Sequence, residues 1–164
     1  MPPSHSTTLS TPIGLLRLCA NDAGLTHVLH ANQHRGEGAV APNHPHLVMA
    51  VSQLDEYFEG KRVDFDVPLA AEGTEFQQSV WNALREIPYG ETRSYAEIAE
   101  RIENPKAVRA VGAANGKNPL SIFVPCHRVI GKAGTLTGYS GGLDKKSVLL
   151  SLEQDVCNAE FRLT

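Results

Sequence analysis

The period of the apolar pattern changes once along this 164-residue chain, across Pro68 to Gly73, and each side of that change suits a different kind of structure. Upstream, apolar and polar residues mostly alternate. Ile13 to Ala20 is rich in apolar residues, Asn21-Asp22-Ala23-Gly24 is a turn sequence, and Leu25 to Ala31 resumes the alternation. Together they predict a β-hairpin, because successive side chains of a strand point to opposite faces. Gln33 to His46 is polar and carries Gly, Pro and Asn, as a loop does. Leu47, Val51, Leu54 and Phe58 then recur at helical spacing before Gly60, and Arg62 to Val67 alternates as one more strand. Residues 1–73 are expected to form an α/β domain, a small sheet plus a helix, with Pro68 to Gly73 as its linker.

Downstream the spacing becomes helical. Thr74 caps a predicted helix with Phe76, Val80, Leu84 and Ile87 on one stripe, broken by Pro88-Tyr89-Gly90. Ser94-Tyr95-Ala96-Glu97 is a capping box, in which the serine oxygen and the glutamate satisfy each other's free backbone N–H groups. It opens a helix carrying Ile98 and Ile102. Asn104-Pro105 predicts a second start, with asparagine as N-cap and proline in the first turn, and Gly116 closes that helix. Two short helices with a tight junction at Glu103-Asn104 are a helix-turn-helix signature. Residues 74–164 are therefore expected to be a mostly helical, winged-helix-like domain.

Composition narrows the function classes. Hydrophobic residues make up 41% and charged residues 20%, ordinary values for a globular protein. No apolar run approaches the roughly 20 residues that span a bilayer, and Met1-Pro2-Pro3-Ser4-His5-Ser6 lacks the basic start and apolar core of a secretory signal. A cytoplasmic location without a membrane partner is expected. Three cysteines, Cys19, Cys126 and Cys157, are odd in number and widely spaced, which fits free thiols in a reducing compartment. Cys19, His27, His30, His34, His44 and His46 follow no zinc-ligand spacing, so no metal is expected and the histidines read as surface residues.

The net charge of −3 does not suit a protein that coats nucleic acid indiscriminately. The charge is uneven, however. Thr92 to Lys132 holds seven basic residues (Arg93, Arg101, Lys106, Arg109, Lys117, Arg128, Lys132) against three acidic ones (Glu97, Glu100, Glu103), so that stretch is +4 and the remainder −7. A local basic face on an acidic protein suits focused phosphate contact, although a solvated helix surface has the same composition. The second helix, Arg109-Ala110-Val111-Gly112-Ala113-Ala114-Asn115-Gly116, is nearly all small residues behind one arginine. A major-groove reader carries long polar side chains. A smooth helix fits either the narrower minor groove or tight helix packing, and the residues alone do not separate the two.

Val124-Pro125-Cys126-His127-Arg128-Val129-Ile130 carries the chemistry. A thiol attacks as its thiolate, and a nearby base or cation promotes that form. Consecutive side chains diverge, so His127 acts on Cys126 only through a backbone turn or an intervening water. In its wider setting the segment says more. Asn118-Pro119, Pro125-Cys126-His127-Arg128, Gly138-Tyr139-Ser140-Gly141-Gly142-Leu143 and a helix ending near Leu152-Glu153 together resemble the O6-alkylguanine-DNA alkyltransferase family over Phe76 to Glu153.

That resemblance implies direct-reversal DNA repair, in which an alkyl group moves irreversibly from O6 of a flipped-out guanine, and also O4 of thymine, onto the protein's own cysteine. It makes Cys126 the acceptor, His127 the base acting through a water, Glu153 the carboxylate that orients His127, and Asn118 the brace of the active-site turn. Tyr95 is implied to reach the N3 edge of the base. Val129 and Cys126 would offer carbonyls to its exocyclic amine, Ser140 an N–H near O6, and Tyr139 a wall of the alkyl pocket, with Lys146 close by. Ser121 stands where some relatives have a pocket-lining proline. Arg109 is implied to fill the stack vacated by the base, since the reacting carbon is inaccessible inside a duplex. Ala110, Gly112, Ala113 and Ala114 would lie in the minor groove, with Thr92 and Ser94 nearby on the backbone. The implied partner is double-stranded DNA bearing O6-alkylguanine, with no cofactor and no obligate protein partner. Two rival readings remain at this point: a thiol hydrolase that turns over, and a DNA-binding module without catalysis.

Overall fold

The structure, a computed structural model, describes residues 5–33, 39–131, 138–139 and 141–163. It divides into two compact units, Met1–Glu72 and Gly73–Thr164. The described residues include no helix long and apolar enough to cross a membrane.

The first unit is a four-stranded sheet with one helix. Strands β1 (His5–Thr11), β2 (Gly14–Asn21) and β3 (Gly24–Leu29) form an antiparallel meander, and β4 (Ala39–Val40) joins β1 in parallel, giving the order β3-β2-β1-β4. The predicted hairpin is β2–β3, turned at Asn21, whose side chain accepts the N–H groups of Ala23 and Gly24 at 2.8 and 3.1 Å. Strand β1 was not predicted. His5-Ser6-Thr7-Thr8 shows no apolar alternation, and what pairs it is backbone register with β2, with buried Ser6 accepting from Arg17 at 3.2 Å.

The strand expected over Arg62 to Val67 does not form. Val63 is exposed, and the segment is held instead by Gln53, whose side-chain oxygen accepts the Asp66 N–H at 3.2 Å. The residues just after it meet the sheet, through a bridge from Leu25 to Leu69. Helix α1 (Pro45–Phe58) packs Leu47, Ala50, Leu54 and Tyr57 inward, one position off the expected Val51 and Phe58. Gly60, at φ +75°, ends it in the left-handed conformation that glycine supplies most easily. His30 is buried, contrary to the surface reading, while His27, His44 and His46 are half-buried and His34 lies outside the described residues.

In the second unit the helix starts obey their caps. Helix α2 (Glu75–Leu84) opens on a complete Thr74–Gln77 capping box, and α3 (Tyr95–Arg101) on a complete Ser94–Glu97 box. Helix α4 (Val108–Gly116) starts later than Asn104-Pro105 predicts. Asn104 closes a turn of its own, accepting the Ala107 N–H at 3.0 Å, so α4 begins behind Ala107 without a side-chain cap. Strand β5 (Arg93–Ser94) pairs in parallel with β6 (Val129–Ile130), which joins the start of the helix-turn-helix to the segment after Cys126. Helix α5 (Leu143–Leu163) does not end near Glu153. No Gly or Pro follows Gly142 to stop it, so Glu153 lies mid-helix, with Lys146 and Leu149 on the same buried face.

Candidate active site

Pro125 sets up a single turn of 3-10 helix, Cys126–Arg128, and all three of its side chains are buried. The turn before it is tight. Asn118 accepts the Leu120 N–H at 2.9 Å and donates to the Val124 carbonyl at 2.9 Å, closing the Leu120–Val124 loop from inside. Within that loop Ile122 has φ +76°, a strained conformation for a β-branched residue that persists because the surrounding bonds leave no alternative. The Asn118 side chain also stands near the Cys126 sulfur, as does that of Ser121.

Burial pushes the Cys126 thiol above its usual range, and the hydrogen bond from Asn118 and the charge of Lys146 offset this only in part. The resting sulfur is therefore a protonated thiol. A base must take its proton.

His127 is fully enclosed, and burial holds its imidazole below its usual value, more than the adjacent Glu153 raises it. It is a neutral ring at physiological pH. Its Nε2 donates to Glu153 Oε2 at 2.6 Å, which fixes the other nitrogen, Nδ1, as the acceptor; Nδ1 is buried and bonds to no protein group among the described residues.

Glu153 is shared. Arg128 donates from Nε to Oε1 at 2.8 Å and from Nη2 to Oε2 at 3.0 Å, its Nη1 reaches the Ile87 carbonyl at 2.8 Å, and its guanidinium covers Tyr89 at 5.5 Å. Burial alone would raise the Glu153 carboxyl, but His127 and Arg128 outweigh it and hold the group at about 2. Arg128 is the functional residue that motif reading passed over. In the sequence it counts as one of the basic residues suited to phosphate contact, and only the fold brings it back onto α5.

Gly90 completes the set, its N–H on Glu153 Oε1 at 3.2 Å. A Cβ there would sit 2.4 Å from the Cys157 sulfur, and φ is +80°. Gly90→Ala is expected to lower stability by about 1–3 kcal/mol in a thermal melt.

Tyr139, Ser121 and Lys146 lie close to the thiol. Tyr139 also lies near Ser121, and burial raises its phenol well above the usual range. Lys146 is enclosed. It donates to the Val129 carbonyl at 2.5 Å and the Gly138 carbonyl at 3.4 Å, and burial lowers its ammonium to about 8 against the pull of Cys126. The Val129 carbonyl, expected to await the base's amine, therefore already accepts one hydrogen bond. Tyr95 lies against Gly112 and near Gly138. Ser140 lies outside the described residues.

On α4, Arg109, Ala110 and Ala113 are exposed and Gly112 is half-buried; just ahead of α3, Thr92 is exposed and Ser94 half-buried. Ala114 does not share this exposure. It is buried, and its carbonyl accepts the Trp81 indole N–H at 2.8 Å. The small residues of this helix thus serve packing on one side and leave a smooth surface on the other.

With that geometry in hand, comparison with known proteins is decisive. Residues 75–155 match the family described as 6-O-methylguanine DNA methyltransferase, DNA binding domain, and residues 5–71 its ribonuclease-like domain. The chain belongs to this family. The methylated-DNA–protein-cysteine methyltransferase of Methanosarcina acetivorans is 54% identical over 149 residues, 87% of this chain and 94% of that protein. The Mycobacterium bovis protein of the same name is 48% identical over 161 residues, 97% of this chain and 98% of that one. Among solved structures, Mycobacterium tuberculosis OGT in complex with DNA superimposes with a TM-score of 0.88 at 50% identity, covering 93% of this chain and 94% of that one. The methyltransferase family thus spans both units, beyond the Phe76 to Glu153 stretch that carries the resemblance.

Proposed function

We propose that this chain repairs DNA by moving the alkyl group of an O6-alkylguanine, methyl above all, onto Cys126, one group per protein molecule. What carries the reading is the buried Cys126 thiol beside a neutral His127 whose free nitrogen is fixed by Glu153, in a member of the methylguanine methyltransferase family. Through one bridging water, His127 Nδ1 takes the thiol proton as sulfur attacks the alkyl carbon. The sulfur–carbon bond forms while the carbon–O6 bond breaks. Guanine leaves with that electron pair, and a proton neutralises it; the Tyr95 hydroxyl eases its charge at N3. Glu153 stabilises the imidazolium without taking the proton, because its carboxyl is held at about 2.

The product is a thioether, which no group in this site can hydrolyse or reduce. Product should therefore stop at one equivalent, whereas a hydrolase using the same relay would pass it. O4-alkylthymine offers the same reacting carbon and is a second substrate. Such a substrate belongs to the DNA-associated cytoplasm.

The exposed face of Arg109, Ala110, Gly112 and Ala113 suits the minor groove, with the Arg109 side chain replacing the extruded base in the stack. Arg109→Ala is expected to slow repair of a duplex by about 10–100-fold, the equivalent of part of the flipping cost. Reaction with the free modified base should hardly change. Rapid-quench rates on both substrates check this, and equal losses would remove the arginine from that role.

A further inference from the structure

Apart from the alkyl-transfer site, the first unit brings three side chains with available lone pairs together from segments far apart in sequence. His5 begins β1, Asp22 sits in the turn between β2 and β3, and His44 caps α1. One donor atom of each lies within 4.8 Å of the other two. His44 Nε2 is 3.7 Å from the Asp22 carboxylate, and the His5 and His44 rings stack with centroids 4.7 Å apart. We propose that His5, Asp22 and His44 form a binding site for a divalent transition-metal ion, with zinc as its preferred occupant.

Two imidazoles and a carboxylate are the borderline nitrogen and oxygen donors that zinc accepts. Around one tetrahedral ion such atoms stand about 3.3 Å apart. The Asp22 side chain is exposed and can swing in, while His44 is nearly enclosed and defines the fixed side of the site. His44 Nδ1 now accepts the His46 N–H at 3.3 Å, so binding through Nε2 moves the ring proton to Nδ1 and gives up that cap bond. His46 stands one ring away, centroids 5.4 Å apart. Its Nδ1 donates to the Asn21 carbonyl at 3.1 Å, which leaves Nε2 as an acceptor, the state of a metal-bound imidazole. The fourth position falls to His46 or to water.

The ion would tie the first strand, the hairpin turn and the helix start into one unit. A domain of this size buries only a modest core, and small domains gain disproportionately from such a staple.

The test uses the full chain, treated with chelator and then titrated calorimetrically with zinc chloride alone. One equivalent should bind, and binding should weaken by about tenfold or more in Asp22→Asn and in His44→Asn. Asparagine at 44 can still cap α1, so the second variant removes the ligand while keeping the helix start. The Cys126→Ser chain should bind as the parent does, because the active-site thiol is the competing ligand. At a hundredfold excess over Kd, zinc should raise Tm by roughly 5–10 °C in the parent, and in neither ligand variant. No uptake by the full chain, uptake unchanged by both substitutions, or uptake lost when Cys126 is replaced would each overturn the proposal.

Discussion

Cys126→Ala is expected to abolish alkyl transfer entirely while leaving a folded chain that still binds lesion-bearing duplex. The sulfur is the only atom in the pocket that the mechanism asks to form a bond. No neighbouring group replaces it: Lys146 is engaged with backbone carbonyls, and Tyr139 is held as a neutral phenol well above its usual range. Removing one buried sulfur leaves a small cavity and should cost about 1 kcal/mol of stability. DNA affinity should move by less than about 1 kcal/mol, since phosphate contacts and base insertion supply most of it. Gel-shift titration of the variant against methylated and plain duplex, beside a transfer assay, separates the two properties. Loss of binding together with transfer would mean that Cys126 organises the pocket rather than reacts in it.

Glu153→Gln should give the second large effect, on stability and rate at once. The donors to this carboxylate include His127, Arg128 through two nitrogens, and the Gly90 N–H. Without its charge the buried Arg128 guanidinium is uncompensated, which costs about 3–5 kcal/mol. The pH dependence has the matching sign. A carboxyl held at about 2 in the folded chain contributes stability above its unfolded value near 4.5, and that contribution disappears as pH falls from there towards 2. The variant should lose much less over that window. Transfer should slow by about 10²–10⁴-fold, because His127 loses the partner that fixes its tautomer. Glu153→Gln combined with Arg128→Met removes the unpaired cation, so it should recover stability and not rate. Recovery of rate in the double variant would show that the carboxylate is structural only.

The parts of the fold governed by local rules were legible in the sequence. Thr74, Ser94 and Gly60 act through backbone groups within a few residues of themselves, and the structure places each as its residue type predicts. Pairing across distance was not. Strand β1 is polar and owes its place to β2, while Arg62 to Val67 has a strand's alternation but finds its backbone partner in Gln53. The start of α4 was misplaced because Asn104 serves a separate turn. In the site, Cys126 and His127 stood out because reactive side chains are rare together. The role of Arg128 beside them is not legible, since its partner lies twenty-five residues onward, in the middle of a long helix. The same reason hides His5, Asp22 and His44, which have no common spacing along the chain.

The account rests on the reacting sulfur, and intact-mass spectrometry tests it most directly. Incubated with an excess of duplex containing O6-methylguanine, the chain should gain one methyl group and no more. Peptide mapping should place that group on Cys126, with unmodified guanine left in the DNA. An unchanged mass while the lesion is repaired, or a methyl group mapped to any other residue, would contradict it.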